Sequence, residues 1–514
     1  MESGSIAAPT AAPADRSAPG EKGLKAGALG YMSNLVIAVA STAPAYSLAT
    51  TLGFIVAIVG IGTHAPAVLL VSFVPILFVS FGYRYFNLAD PDAGTTFSWV
   101  TRTLGPQMGW INGWAIFLAD VIVMASLADI ASTYTFELVG WTSAAHSTTA
   151  IVIGSVLWIM LMTYICYRGI ELSARIQAAL LSLECLTLGV FAITAIVDTY
   201  SSGAPLHSIH ISADWFNPFA LNITSLVNGI LLGIFIYWGW DSGVAVNEES
   251  ENPAEGPGRA AVLSTVLLVL IYLLVATAAQ ADAGTHFLVA NQNDVLSGLG
   301  TRVFGSGVLQ KLLLFSVLTS ASASTQTTIL PTARTTLSMA SWGALPKVFG
   351  RIHPRYQTPS FSTLMMGAVS IIWTVGVLVF DTSGNVLSDS ITGLGFAICF
   401  YYGFTGIACA VYYRRELFKS THRALLVGLV PLLGGIGMFY VFGKSFQTVQ
   451  YTKGYNYSAP VLGVQIPIVI GVGGLLLGVV ALIAQWIFMP EFFKRKLQTA
   501  DPAILEAHLD HVAT

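Results

Sequence analysis

The sequence predicts an all-α polytopic membrane protein with twelve transmembrane helices, and three observations carry that prediction. Of the 514 residues, 54% are hydrophobic and only 10% charged, against about 25% charged in soluble domains. A helix crosses a bilayer with about 20 mostly apolar residues, and twelve such stretches can be marked off. If these spans alternate in direction, all but four of the 23 lysines and arginines (Arg302, Lys311, Lys444 and Lys453) fall on one side. The positive-inside rule makes that side, and both termini with it, cytoplasmic.

Taken in order, residues 1–24 are rich in Ala, Pro, Ser and Gly without periodicity and read as a disordered cytoplasmic tail. A cleaved signal peptide is not expected, because the cationic start is missing and the first apolar run is full length. The spans are expected at 28–59, 65–85, 108–139, 150–167, 172–197, 223–246, 260–281, 308–339, 361–380, 391–413, 424–442 and 466–489, followed by a cytoplasmic C-terminal tail over 490–514. Between the second and third, Asn87 to Gly109 reads as a short amphipathic helix bracing the bundle.

Two spans are interrupted. The first runs Ser41-Thr42-Ala43-Pro44-Ala45, where a mid-helix proline removes a backbone donor among small residues. The sixth runs Tyr237-Trp238-Gly239-Trp240-Asp241, where a glycine lies between tryptophans and beside a carboxylate. A charge at mid-depth costs roughly 2.5–3.5 kcal/mol on insertion scales, and such residues face protein or a polar pathway. Paired interruptions at matching positions of two halves point to a transporter site built on inverted repeats. On that reading 28–198 is one five-helix repeat, 223–413 its inverted partner, and 424–489 adds two helices. A plain proline kink and a close-packing glycine are the alternative.

Further intramembrane acids are Asp120 and Asp129 in span 3 and Glu184 in span 5. Nine residues apart on a helix, the two aspartates lie on opposite faces and cannot share a site. A carboxyl group in an apolar setting, as at Glu184, can take up and release a proton near neutral pH; a structural hydrogen bond is the other reading. The hydroxyls of Ser320, Ser322, Ser324 and Thr325 in span 8 suit packing, or hard-oxygen ligation of Na⁺. The four cysteines Cys166, Cys185, Cys399 and Cys409 lack metal-ligand spacing and read as reduced core thiols. No metal site, cofactor motif or catalytic motif stands out, so an enzyme is not expected. Nothing in the charge pattern suggests nucleic acid.

The break at 237–241 followed by Glu248-Glu249 and Asn252-Pro253 resembles the sixth helix of the amino acid, polyamine and organocation transporter superfamily. Arg334, Met339-Ala340, Gly343, Leu345-Pro346 and the run His353 to Pro359 are similar to the stretch that follows its eighth helix. Matching segments extend from about Ala28 to Tyr413. The first break departs from the Gly-Ser/Ala-Gly triplet of many members, which weakens any reading of the substrate.

The resemblance implies a LeuT-like fold of 5+5 helices plus two, and secondary active transport of an amino acid or related amine by alternating access. It implies that amides at the start of the outer half of span 1 face the substrate carboxylate. Carbonyls ending the inserted half of span 6 would accept from its amine, and Tyr237, Trp238 and Trp240 would gate or stack. The expected substrate-binding set is therefore Ser41, Thr42, Ala43, Pro44, Ala45, Asp120, Tyr237, Trp238, Gly239, Trp240 and Asp241. Glu184 is the expected proton-coupling residue, H⁺ the expected coupling ion and Na⁺ the alternative. Asp120 and Asp241 without a neighbouring cation weakly favour a cationic substrate. An exchanger of the same fold is the main alternative function. A transporter-like receptor or a channel is disfavoured by the short C-terminal tail and by the two broken helices, respectively.

Overall fold

The computed structural model of the chain describes residues 22–380, 385–451 and 457–497. Most of the two expected tails lies outside the described residues. Among those residues, twelve helices are long and apolar enough to cross a membrane: Tyr31–Ala57, Gly62–Ala89, Pro106–Leu138, Thr148–Arg168, Ala174–Thr199, Ile223–Ala245, Gly256–Ala290, Val308–Ser341, Ser360–Val379, Ser388–Tyr412, Arg423–Tyr451 and Ile466–Phe488. These are spans 1 to 12 below. No β-strand occurs among the described residues, only three isolated bridges.

The spans sort into an inner group and an outer ring according to how much of each apolar stretch the protein itself covers. That share is 94% for span 1, 83% for spans 3 and 6, 78% for span 10 and 67% for span 8, against 28–39% for spans 4, 5, 9, 11 and 12. Composition explains the inner position of span 8, whose middle is a run of Ser, Thr and Ala. Without a hydrophobic drive between helices in lipid, small residues that let backbones approach decide which helices sit inside. The same principle acts between spans 10 and 11. A Cβ added to Gly406 would stand 2.4 Å from the Pro431 carbonyl oxygen.

The connector between spans 2 and 3 does contain a short helix, Thr96–Leu104. It is held by Trp99 Nε1 donating to the Asp90 carbonyl at 2.8 Å and by an Arg102–Asp90 ion pair at 2.7 Å. A second short helix, Val295–Phe304, lies between spans 7 and 8. Its ten residues are too few for the membrane-span rule, and its start is marked only by Asp294, whose side chain accepts from the Ser297 amide. Lys22 and Leu24, at the end of the stretch read as tail, are packed into the bundle.

Candidate functional site

Span 1 is two helices, Tyr31–Thr42 and Pro44–Ala57, joined at Ala43, which adopts a left-handed conformation (φ 48°, ψ 69°). Such a conformation is disfavoured for a residue with a Cβ by roughly 1–2 kcal/mol. Pro44 does not sit inside a helix. It is the first residue of the second one, where its missing N–H would have no partner in any case.

Span 6 is likewise Ile223–Tyr237 and the short turn Ser242–Ala245, with four residues between. Trp238 is extended (ψ 148°) and Gly239 has φ +118°. The two breaks abut. A Cβ on Gly239 would meet the Ser41 carbonyl oxygen at 2.8 Å, and the Ser41 and Ser242 hydroxyls are 2.8 Å apart. Span 8 closes the contact, with Ser324 Oγ donating to the Ser41 carbonyl at 2.8 Å.

At this junction lies an enclosed space of about 10 Å³, lined by Ser41, Ile116, Asp120, Trp238, Asp241 and Tyr401 among others. That is room for about one water molecule. Its polar groups are already engaged. Trp238 Nε1 donates to Tyr401 Oη, and Tyr401 Oη donates in turn to Asp241 Oδ2 at 3.1 Å. Thr332 Oγ1 donates to Asp120. Two carboxyl groups thus line the space, and no lysine or arginine does.

Of the eleven residues expected from sequence, Ser41, Asp120, Trp238, Gly239 and Asp241 come together here. Trp240 does not. It is fully buried between Tyr83 and Tyr402, with ring centroids 4.9 and 5.3 Å away. Tyr237 turns toward spans 2 and 7, donating to the Leu69 carbonyl and packing on Tyr272. Thr42, Ala43, Pro44 and Ala45 form the turn of the break without lining the space, and the Thr42 hydroxyl donates to the Val39 carbonyl.

The amides of the second half of span 1 are also committed. Ala45 N–H donates to Glu184 Oε1 at 2.7 Å, and Tyr46 N–H to Ser320 Oγ at 3.3 Å. Ser320 Oγ itself donates to Glu184 Oε1 at 2.7 Å. The helix start expected to face a substrate carboxylate therefore carries the carboxylate of Glu184. Of the four span 8 hydroxyls, Ser320 and Ser324 reach the break, whereas Ser322 and Thr325 donate to their own helix backbone.

Sequence reasoning missed Tyr401 and Thr332, which nothing but their place in spans 10 and 8 could have flagged. It also missed a buried ionic cluster on the face where span 1 begins. Lys22 Nζ donates to Glu248 Oε1 (2.6 Å), Asp92 Oδ1 (2.9 Å) and Ser338 Oγ (3.1 Å). Beside it Arg334 grips Glu249 through two bonds of 2.5 and 2.9 Å. Leu29 exchanges backbone hydrogen bonds with Glu249 and Glu251, tying the chain before span 1 to the chain after span 6. Burial would lower the pKa of the Lys22 ammonium, but the Asp92 and Glu248 carboxylates outweigh it and raise it above its usual value. Asp92 is buried too, and Lys22 with Arg102 holds it well below the ordinary carboxylate range. At Glu248 burial wins over Lys22 and pushes the pKa up. In the sequence the Glu248-Glu249 pair serves only as a family mark, and Lys22, the partner of Glu248, lies in a segment without pattern.

Residues 29–466 match the amino acid permease family. The chain is 26% identical over 280 residues to an uncharacterized transporter of Mycobacterium bovis, a match covering 54% of this chain and 58% of that protein's length. It is 24% identical to the branched-chain amino acid permease BcaP of Lactococcus lactis, over 73% of this chain and 81% of the relative. It is 22% identical to an arginine/ornithine antiporter of Latilactobacillus sakei, over 74% and 80%.

Proposed function

This chain belongs to the amino acid permease family, and on that premise we propose that it is a secondary active transporter that imports an amino acid or related amine with a proton, by alternating access around the junction of spans 1 and 6. Family and relatives are transporters and not enzymes. In this reading the two interruptions mark inverted repeats over 28–198 and 223–413, and both termini are cytoplasmic, as the loop charges favour.

The observation that carries the proposal is the contact between Glu184 and the Ala45 amide. A helix N-terminus attracts one anion well. An ionised Glu184 and a substrate carboxylate compete for it. When Glu184 takes a proton, its hold on the amide weakens and the helix start becomes available to the substrate. When the substrate leaves, Glu184 reclaims the amide and gives up the proton. Substrate and proton thus bind with positive cooperativity, which is the thermodynamic requirement for moving together. Uptake into liposomes with and without an inward proton gradient tests this. Glu184→Gln keeps the side-chain volume but holds no exchangeable charge. It is expected to abolish gradient-driven accumulation while retaining exchange of internal for external substrate. Unchanged uphill uptake in the variant rules Glu184 out. Accumulation that follows a sodium gradient instead assigns the coupling ion to the Ser41, Ser320 and Ser324 oxygens.

A space for about one water cannot hold an amino acid, so Trp238 and Tyr401 are the side chains that swing aside as it enters. We further propose a cationic distal group on the substrate, since Asp120 and Asp241 line the space without a basic partner. Asp120→Asn is expected to weaken a cationic substrate by roughly 1.5–3 kcal/mol, the worth of a hydrogen bond to a charged group, and to leave neutral analogues nearly unaffected. Competition by arginine, ornithine, putrescine and leucine against bound label measures it. Leucine displacing label best, with no effect of Asp120→Asn, sinks the charge argument and favours a neutral substrate.

A further inference from the structure

One face of the protein combines two features that transport does not use. The first is a pair of exposed guanidinium groups. Arg168, at the end of span 4, and Arg355, in the loop between spans 8 and 9, lie 5.1 and 5.7 Å from the ring centroid of the same residue, Tyr356. Arg168 also donates to the hydroxyl of the exposed Tyr164 at 2.7 Å. Among the described residues neither arginine has a carboxylate partner. The loop is held in place by Thr358 Oγ1 donating to the Tyr167 carbonyl at 2.9 Å and by the stacking of His353 on Tyr356. From Ser341 to Ser360 it carries Lys347, Arg351 and Arg355 and no acidic residue.

The second feature is an apolar groove of about 380 Å³ between spans 3 and 4, lined by Phe136, Trp141, Ile153, Leu157, Trp158 and Leu161 among others. Trp158 has its polar atom engaged by Thr135, so the groove wall it forms is hydrocarbon. Ile153, Leu157, Leu161 and Tyr164 are exposed and follow one another at helical spacing, which puts them on one stripe that ends at Arg168. At 1.5 Å per residue, Leu161 lies about 10 Å and Leu157 about 16 Å along the helix from Arg168. Half the hydrocarbon core of a bilayer is about 15 Å. One acyl chain whose headgroup sits at Arg168 therefore reaches the near end of the groove, at Leu161, Trp158 and Leu157, while Ile153 and Trp141 mark its far end beyond mid-depth.

We propose that this face is a binding site for an anionic phospholipid of the cytoplasmic leaflet, with its phosphate between Arg168 and Arg355 and an acyl chain along span 4 into the groove. The occupant is a lipid and not a soluble anion because the exposed apolar stripe of Tyr164, Leu161 and Leu157 leads from the charge pair to the near end of the groove within about one acyl length. It is anionic because a zwitterionic headgroup would bring its own cation to a site that already has two. Basic groups at the membrane surface each favour anionic lipid by a few-fold. The assignment to the cytoplasmic leaflet rests on the orientation proposed above, and the site itself does not depend on the transport mechanism.

The test is quenching of Trp158 by brominated acyl chains. Full-length protein is placed in phosphatidylcholine nanodiscs containing either brominated phosphatidylglycerol or brominated phosphatidylcholine, and the Trp158→Phe variant supplies the background. Quenching by the glycerol lipid is expected at concentrations on the order of tenfold lower than by the choline lipid. That preference disappears in Arg168→Gln/Arg355→Gln and persists in Arg168→Lys/Arg355→Lys. Equal quenching by the two lipids in the wild type, or an undiminished preference in the glutamine pair, overturns the proposal. Loss of the preference on adding inorganic phosphate overturns it in favour of a free-anion site. Absence of quenching together with a particle mass of two chains overturns it in favour of a second copy covering the groove. Native mass spectrometry of the wild type needs no variant: phosphatidylglycerol retained through detergent exchange supports the site, and its loss at the rate of phosphatidylcholine refutes it.

Discussion

A Gly239→Leu variant is expected to insert into the membrane and to bind no substrate. Two independent features of position 239 lead to that result. Its φ of +118° lies where residues with a Cβ are rarely found. The Cβ would also stand 2.8 Å from the Ser41 carbonyl oxygen and 2.9 Å from its carbon, both backbone atoms at the other break. Backbone cannot rotate away as a side-chain end does, so the two interrupted helices must separate. The distortion falls on the residues that line the central space and leaves the outer ring of spans untouched. A local strain of a few kcal/mol is borne by a bundle of twelve helices but not by a site whose polar groups must converge to within tenths of an ångström. Gly239→Ala already introduces the offending atom and is expected to lose most of the affinity, with leucine removing the rest. Equilibrium binding of labelled amino acids, beside the yield of monodisperse protein, measures both. Wild-type affinity in a well-folded leucine variant would place the substrate elsewhere.

Much of the architecture is legible because the bilayer dictates it. Long apolar runs give the spans, and span 8 is found despite its many hydroxyls because no charge interrupts it between Lys311 and Arg334. The junction is legible for a related reason, since Gly239 and Asp241 break a rule that holds for every lipid-facing stretch. Other aspects are not. That Trp240 packs against Tyr83 while Trp238 lines the central space depends on the direction of the chain after the break, which a residue pattern does not encode. Glu184 stood out as a buried acid, but that it occupies the start of the second half of span 1 requires the packing of spans 1 and 5. The pattern suggested that those amides would face substrate, and they are already bonded. Short elements such as Val295–Phe304 escape rules built on the thickness of a membrane.

The least legible element yields the second large effect: Lys22→Met is expected to open the face of the bundle where span 1 begins. Lys22 is the cation between Asp92 and Glu248, and all three are buried. Removing it leaves two carboxylates facing each other away from water. Breaking a buried pair on one side costs about 3–5 kcal/mol. On the alternating-access mechanism proposed above, the cost falls on the closed form alone, because an open form exposes both acids to solvent. At 1.4 kcal/mol per factor of ten, the balance moves toward the open form by at least about a hundredfold. Leu337, buried beside Leu24 in the same closure, is the reporter. A Leu337→Cys thiol, in a background with Cys185→Ala, is expected to react slowly with a membrane-impermeant maleimide when Lys22 is present, and much faster from the side where span 1 begins in Lys22→Met. Lys22→Arg, which keeps the charge, restores most of the protection. The pH dependence has a defined sign. The Lys22 pKa is raised above 10.5 in the closed form, so its contribution is fully present below that value and lost only above it. The Asp92 pKa is lowered from 3.8, so its contribution holds above that value and is lost as the pH falls below it. Glu248, raised from 4.5, binds its proton more tightly when closed, so moderate acidification favours closure as far as this group is concerned. Wild-type protection therefore persists from mildly acidic to mildly alkaline pH, and the methionine variant is open throughout that range. Equal reactivity of the Leu337→Cys thiol at neutral pH with and without Lys22 would mean that the Arg334–Glu249 pair holds this face shut by itself.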